Sequence, residues 1–481
     1  MHHFPFVIVP EGMDASVLWR ESPFLLLCIL TACLEHDPIL QDKLEREIRE
    51  IIGTRLILKM ERNMDLLQGL LVHTAWYHYH WRAYHTQAYM LLQIAIMLVV
   101  DLGLDKDENL RMQAIPQDGK ESHQVHEQGI HQTAAGQRAL LGCYYLCSKL
   151  SIFRRQLTTR HTHWIDQCGR NLALRAEFPT DSNLMAYLDV QSLVRETQVI
   201  LEVGLDYHSN SSCQEAWGRV FELMEKQRIE ERLQGSNDNW ALRFELSATN
   251  LLVLGHSLRR QKDVFYLHEM GQIQAITSSA HRIMTTFLNT PSTIAIHLPT
   301  TCYTILWYGL LALSKLSLLF PSPAAVALGV DNQTIHNVGI AIMQKIGSFS
   351  KGGDAWENSK NVIGSMLSWL EKSKPETQQT APVQAGPMAP NDIGDCLSSD
   401  HTAITSSPRA RGDAYIHQDA WPSIDIPSHL DPADYIEAQA AVDWDAGLWQ
   451  GMLDSLTWSI MTAANKALHI SNSIDDAAYS L

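Results

Sequence analysis

The chain has 481 residues, enough for one large domain or two ordinary domains with a sizeable core. Its formal net charge is −16, and an acidic chain repels phosphate at long range, so we expect no sequence-specific DNA affinity from this chain alone. The 8 cysteines lie mostly within apolar helical patterns. Their spacing excludes a disulfide-rich secreted framework and predicts buried, reduced thiols.

Helical periodicity dominates the first 372 residues, and alternating strand patterns are scarce. This pattern predicts an all-α fold, a large multi-helix bundle. Asp65 is expected to cap the helix that follows it, and Gly103 to end a later one. Helices are predicted over 23–34, 40–56, 66–75, 89–102, 184–203, 213–233, 240–258, 273–288, 300–320, 334–348 and 356–372, and a further helix is expected to begin at Gly136.

Two stretches of this region are apolar enough to raise the question of a membrane span. Residues 89–100 contain Gln93 and end at Asp101, and residues 302–320 contain Lys315 and several hydroxyl groups. Both are shorter or more polar than the roughly 20 apolar residues that a spanning helix needs. We therefore expect two core helices and no membrane partner.

Polar composition marks three segments outside the predicted helices. Residues 105–132 contain Pro116 and Gly119 and are expected to form a long mobile loop. Residues 373–413 are rich in Pro, Gln, Thr and Ser, which predicts a disordered linker. Residues 414–481 form an acidic, Trp-rich tail.

The tail combines acidic residues with large apolar ones, and no Lys or Arg occurs between Arg411 and Lys466. Its apolar residues include the i, i+3, i+4, i+7 spacing of a helix that docks in a groove. Two interpretations stay open: the helix docks on a partner protein, or it packs back on its own bundle. The candidate anchors are Trp444, Leu448, Trp449, Met452, Leu453 and Leu456.

Histidines cluster around Trp76 without the spacing of a metal site. His78, His80 and His85 follow His73 by five, seven and twelve residues, whereas metal-binding helices often use i and i+4. We expect these side chains to be semi-buried or at the surface beside aromatic rings. The same expectation applies to His161 and His163, and no metal site is predicted.

Carboxylates give little support to an enzyme. Asn237, Asp238 and Glu245 mimic part of the magnesium triad of terpene cyclases, but Ala241 stands where a hydroxyl residue is needed. The pair at 475–476 lacks a third carboxylate. The chain also has no Gly-rich phosphate loop, Ser elbow or HEXXH motif. The prediction is a non-enzymatic protein with no catalytic residues and no cofactor.

Several strings, taken in this order, resemble the helical regulatory region of fungal zinc-cluster transcription factors. The resemblance runs from about residue 4 to 320, and the strings are similar to a subgroup that includes activators of secreted-protease genes and regulators near biosynthetic clusters. The Trp-rich C-terminus is also similar to the family. The strings are FPFVIVP at 4–10, RESPFL at 20–25, LLQGLLV at 66–72, AWYH at 75–78, MLLQ at 90–93, DLGL at 101–104, RALLGCYYL at 138–146 and EFPTD at 177–181.

The resemblance implies that 1–372 is a regulatory domain of a nuclear transcription regulator and that the tail contacts the transcription machinery. The family binds DNA through six cysteines that hold two zinc ions and open with a Cys-x2-Cys pair. This chain contains no such pair; the nearest spacings are Cys28 to Cys33 and Cys143 to Cys147. DNA is therefore an expected partner only if a zinc cluster precedes this chain, and homodimerisation is a further expectation. The alternative is a partner-titrating or ligand-sensing module without direct DNA contact.

The residues within these strings have a physical interpretation of their own. Large apolar and aromatic side chains at helical spacing are typical of core packing, not of catalysis. We expect a core role for Leu70, Trp76, Tyr77, Leu91 and Tyr144.

Overall fold

The structure is a computed structural model, and it describes part of the chain. The described residues are 3–80, 86–107, 129–151, 159–206, 210–227, 240–254, 270–319, 325–326 and 328–372. The predicted linker and tail, and most of the predicted loop at 105–132, lie outside these ranges. The division into domain, linker and tail therefore stays a prediction.

The described residues are mainly helical and include no strand, which confirms the all-α prediction. Short 3₁₀ turns occupy Tyr77–His80, Ile130–Gln132 and Asp181–Asn183. The α-helices are α1 (Ala15–Glu21), α2 (Pro23–Ala32), α3 (Pro38–Ile51), α4 (Met64–Ala75), α5 (Thr86–Asp101), α6 (Ala134–Ser151), α7 (His163–Arg175), α8 (Leu184–Asp206), α9 (Asn210–Gln227), α10 (Trp240–Leu254), α11 (Met270–Asn289), α12 (Ser292–Ala295), α13 (Thr300–Leu319), α14 (Asn332–Gly347) and α15 (Ala355–Lys372).

Local sequence signals explain many of these boundaries. Asp14 caps α1 by accepting from the amides of Ser16 and Val17, both at 2.9 Å. Prolines occupy the first turns of α2 and α3, where their missing N–H costs no hydrogen bond. Gly103 follows α5 with a φ of +67°, a left-handed conformation that suits glycine and confirms the predicted helix end.

The cap predicted at Asp65 is wrong. Asn63 caps α4, because its extended backbone lets the side-chain oxygen accept from the amide of Leu66 at 3.0 Å. Asp65 already lies in the first turn of α4, and its carboxylate is directed to another helix.

Three further features depart from the predicted pattern. The helix expected over 40–56 continues as a π-helix over Ile52–Leu58. Helices α1 and α7 were not predicted. A 3₁₀ turn occupies Ile130–Gln132, so the last residues of the predicted loop have regular structure. The hydroxyl of Thr133 stabilises this turn by donating to the carbonyl of Ile130 at 2.7 Å.

The helices surround one apolar core. In the first half α2 packs against α4, and α4 packs against α5 and α6; in the second half α11 contacts α10, α13 and α14. Helix α13 joins the halves by contacting both α4 and α6. Leu92 of α5 and Leu311 of α13 are fully buried, which confirms that both apolar stretches are core helices. None of the described helices combines the length and apolar character of a membrane span.

Candidate functional site

The N-terminal string passes through the core instead of lying on the surface. Phe4, Phe6 and Val7 are almost completely buried. The ring of Phe6 stacks on Tyr145 of α6, with 5.0 Å between ring centroids. The ring of Phe4 meets Trp76, at the end of α4, edge to face at 5.9 Å. The N-terminal segment therefore contacts both the string at 75–78 and the string at 138–146 through aromatic rings.

Two glycines allow this close packing. A Cβ at Gly142 would lie 2.6 Å from the Cβ of Phe6, and a Cβ at Gly69 would lie 2.4 Å from Cδ1 of Phe24. Both distances are shorter than real Cβ contacts. Gly142 thus lets α6 approach the N-terminal segment, and Gly69 lets α4 approach α2.

Asp65 joins α4 to the N-terminus of α2. Its carboxylate accepts from the backbone amides of Leu25 at 2.8 Å and Phe24 at 3.4 Å. These amides belong to the first turn of α2, where the helix dipole favours a negative charge. The guanidinium of Arg55 donates to the same carboxylate at 3.1 Å. Asp65 therefore accepts hydrogen bonds from the first-turn amides of a helix that is distant in sequence. The positive charge of Arg55, in the π-helix, balances the charge of its carboxylate.

Arg138 of α6 joins the string at 138–146 to the string at 177–181. Its guanidinium forms two hydrogen bonds with Asp181, and both side chains are buried, at 5% and 0% exposure. Glu177 accepts a further hydrogen bond at 3.0 Å, and the guanidinium lies 4.8 Å above the ring of Phe178. Burial opposes the charge of Arg138, but hydrogen bonds with Asp181 and Glu177 outweigh it and raise its pKa.

Lys149 and Glu245 form a second buried ion pair, between α6 and α10, at 0% and 4% exposure. Gln191 of α8 donates to the same carboxylate at 2.6 Å, and the hydroxyl of Tyr145 donates to it at 3.3 Å. Burial, together with the charge of Glu245, raises the pKa of Tyr145 well above its ordinary value, so this hydroxyl remains a donor. Glu245 of α10 therefore joins α6 and α8 through its carboxylate.

Asn237 and Asp238, which together with Glu245 mimic part of a magnesium triad in the sequence, lie outside the described residues. Within the described part of the chain, no group of three or more His, Cys, Asp and Glu side chains is arranged to hold a metal ion.

His73 and His78 are more buried than the sequence predicted. Both are at most 3% exposed, and their rings pack against Tyr77 and against Tyr303 and Trp356, respectively. Burial and the charge of Arg49 lower the pKa of His73 to about 4, and burial lowers the pKa of His78 to about 3. The expectation of semi-buried or surface positions is thus wrong for these two: α4, which carries His73, is buried on nearly all sides, and α13 and α15 cover the 3₁₀ turn that carries His78. His85 and the side chain of His80 lie outside the described residues.

His161 and His163 agree with the sequence-based expectation. His161 is partly buried beside Tyr144, with its Nδ1 3.0 Å from the tyrosine hydroxyl and its Nε2 2.8 Å from Asp166. His163 is exposed. Neither belongs to a metal-binding group of three or more His, Cys, Asp and Glu side chains among the described residues.

The cysteines whose side chains the structure describes are free thiols, and four of them are buried as predicted: Cys28, Cys143, Cys147 and Cys168. Cys33 is exposed, which the sequence pattern did not predict, because it caps the end of α2 where the chain turns outward. Cys302 is intermediate in exposure. The remaining two, Cys213 and Cys396, lie outside the residues whose side chains are described.

The residues expected to pack in the core do so: Leu70, Trp76, Tyr77, Leu91 and Tyr144 are all buried. The six candidate anchors of the tail lie outside the described residues, so their role stays a prediction. They are Trp444, Leu448, Trp449, Met452, Leu453 and Leu456.

Comparison with known proteins identifies relatives of one kind. The chain is 33% identical over 199 residues to the protein named transcription factor himD of Aspergillus japonicus, a match that covers 40% of this chain and 32% of the relative. It is 31% identical over 204 residues to transcription factor opdL of Penicillium oxalicum, covering 40% and 35% of the two chains. A transcription factor of Aspergillus terreus is 31% identical over 110 residues, covering 22% and 18%.

These matches have a limited extent. The chain spans about a third of the length of the first two relatives. No family model matches the chain, and no solved structure does. Over the shared stretch the chain is similar to fungal transcription factors, which confirms the resemblance that its sequence strings indicated.

Proposed function

We propose that this chain is the helical regulatory part of a nuclear transcription regulator of the fungal zinc-cluster type, controlling a metabolic, protease or biosynthetic gene set. The observation that carries the proposal is its similarity to two relatives named as transcription factors. The contacts among the strings agree with a shared domain: Phe6 packs on Tyr145, and Arg138 binds Asp181.

The test of this proposal is the transcriptome of a strain that lacks the gene. We expect a restricted set of genes to change expression and to recover when the gene is restored. A second strain carrying Arg138→Ala provides a control in which the chain is present but its fold is weakened. An unchanged transcriptome in the deletion strain, under conditions where the protein is made in the wild type, contradicts the proposal.

We propose DNA as a partner only if a zinc cluster precedes this chain, because these 481 residues contain no Cys-x2-Cys pair. For the chain itself we propose no sequence-specific affinity, since its −16 charge repels phosphate. A gel-shift titration with genomic promoter fragments and scrambled DNA tests this. Salt-dependent nanomolar binding to one site over scrambled DNA overturns it.

We further propose that the tail recruits the transcription machinery. Its acidic residues keep the apolar anchors in water, and burying one large anchor contributes about 1.5–3 kcal/mol. A micromolar contact corresponds to about −8 kcal/mol, so it needs most of the six anchors once the cost of association and of ordering the segment is subtracted. Residues 421–458, fused to a heterologous DNA-binding domain, should therefore activate a reporter.

Two double variants sharpen that experiment. Changing Trp449 and Leu453 to Ala should remove most of the activity, whereas changing Asp443 and Asp445 to Asn should remove less, because charge mainly speeds encounter. If the fusion is silent, and the double Ala variant lowers the melting temperature of the full chain, the tail packs on its own bundle and the recruitment proposal fails.

A further inference from the structure

A cavity of about 340 Å³ opens where the ends of α2 and α4 meet the connection between α11 and α13. This volume is within the range of small-molecule pockets, about 300–1,000 Å³. Its wall is apolar and includes Ile29, Val72, Trp76 and Ile294. The cavity is separate from the buried ion pairs described above, and no step of the proposed function uses it.

One of the polar groups at the cavity already has a hydrogen-bond partner. The indole N–H of Trp76 donates to the backbone carbonyl of His297 at 3.0 Å, so it is not available to a ligand. The other polar side chains on the lining are the Cys33 thiol, the Thr293 hydroxyl and the imidazoles of His3 and His297. Burial and the nearby charge of Glu35 raise the pKa of Cys33, so its thiol is neutral at physiological pH.

A nearby negative charge disfavours an anion, and desolvation disfavours a cation. Glu35 lies 3.9 Å from His297, which lines the cavity, and its carboxylate would repel an anion there. The same carboxylate would attract a cation, but a cation would have to leave water for a mainly apolar wall. An uncharged molecule would not be repelled by Glu35, and its binding would not require a charge to leave water.

We propose that this cavity is a binding site for a compact, uncharged, mainly apolar molecule of about two fused rings that carries one hydrogen-bonding group. The apolar rings would lie against Val72, Trp76 and Ile294, and the polar group would meet Cys33 or Thr293 at the lining. This inference goes beyond the proposed function and does not depend on it.

The position of the cavity gives such binding a structural consequence. Trp76 and His297 both line it, and the hydrogen bond between them joins residues 221 positions apart in the chain. A ligand that contacts both would brace the junction between the end of α4 and the segment before α13. Binding should therefore raise the melting temperature of the full chain.

The test uses the neutral naphthalene fluorophore prodan, which has two fused rings and one carbonyl acceptor. Titrated into the folded full-length chain, it should show saturable, one-to-one binding with a blue-shifted emission. The anionic probe 1-anilinonaphthalene-8-sulfonate should bind at least tenfold more weakly. Comparable binding of the anion overturns the uncharged class, and the absence of saturable prodan binding overturns the site.

Variants locate the binding. Ala32→Phe places a ring in the cavity from α2 and should weaken prodan binding at least tenfold; Ile294→Trp fills the cavity from the opposite wall and should do the same. Leu30→Phe is the matched control, because Leu30 lies on α2, is 47% exposed and does not line the cavity. Circular dichroism establishes that each variant is folded. Unchanged prodan affinity in either folded cavity variant overturns the proposal.

Discussion

Arg138 holds Asp181 through two parallel hydrogen bonds, from Nε to Oδ1 at 2.9 Å and from Nη2 to Oδ2 at 2.7 Å. This bidentate geometry matches the planar guanidinium to the carboxylate, and it is the strongest form of such a pair. Asp181 also accepts from the amide of Phe178 at 3.1 Å, so the pair fixes the turn that leads into α8. The two partners lie 43 residues apart in the chain.

Removing either partner of this pair should destabilise the chain strongly. Asp181→Ala leaves the buried guanidinium without its main partner, and loss of one partner of a buried pair typically costs about 3–5 kcal/mol. Arg138→Lys should also destabilise the chain, since an ammonium cannot form the two parallel hydrogen bonds that the guanidinium forms with Asp181. Urea denaturation followed by circular dichroism measures both effects. Glu177→Ala is the control: Glu177 is 45% exposed, and its loss should cost less than about 1 kcal/mol. Equal losses for Asp181→Ala and Glu177→Ala would contradict this assignment.

The Lys149–Glu245 pair should show strong coupling in a double-mutant cycle. Lys149→Met or Glu245→Leu alone leaves one buried charge unpaired and should cost about 3–5 kcal/mol. The double variant removes both charges and should cost clearly less than the sum of the two. Additive losses, measured as free energies of unfolding, would show that the two side chains do not interact.

Gly142 should tolerate no side chain. Gly142→Ala forces a Cβ against Phe6, and overpacking of this kind typically costs about 1–3 kcal/mol. Gly218→Ala is the matched control, because Gly218 lies in α9, is exposed and has nothing within 4 Å of an added Cβ. That change should stabilise the chain by up to about 1 kcal/mol through helix propensity. Thermal unfolding of both variants checks the opposite signs, and a stabilised Gly142→Ala would refute the contact.

Acid should weaken the fold through His73 and His78. Their pKa values fall from an ordinary 6.5 to about 4 and about 3, so the unfolded chain binds more protons below pH 6.5. Their stabilisation is present above pH 6.5 and is lost as the pH falls towards 4. Between pH 7 and 5 each should lose on the order of 1–2 kcal/mol. Urea denaturation at both pH values should show a smaller change in a His73→Gln, His78→Gln variant. An equal change in that variant and the wild type would contradict buried, neutral imidazoles.

Helix positions were largely predictable because apolar residues recur at the helical period along the chain. Helix α7 was missed although Trp164, Cys168 and Leu172 form a buried stripe four residues apart, a signal strong enough to reveal it. The π-helix was not predictable in this way, since its apolar spacing also fits an α-helix.

The long-range contacts that join the helices, such as those of Asp65 and of the Lys149–Glu245 pair, were not predictable from the sequence. Asp65 looked like a local cap because a helix begins beside it, yet its main partner, the amide of Leu25, lies 40 residues earlier. Glu245 entered the sequence analysis only through a weak magnesium pattern and Lys149 did not enter it, and nothing local in the sequence pairs the two. The way the strings bind one another required the three-dimensional structure.

The most direct test of the central claim tethers the full chain to DNA. Fused to a heterologous DNA-binding domain in a fungal cell, the chain should change transcription of a reporter that carries the matching site, and it should leave a reporter without that site unchanged. Immunoblotting and nuclear fractionation establish that the fusion is present and nuclear. A several-fold, site-dependent change in reporter transcript is the predicted result. A nuclear fusion that occupies the site and leaves the transcript at the level of the DNA-binding domain alone would contradict the account.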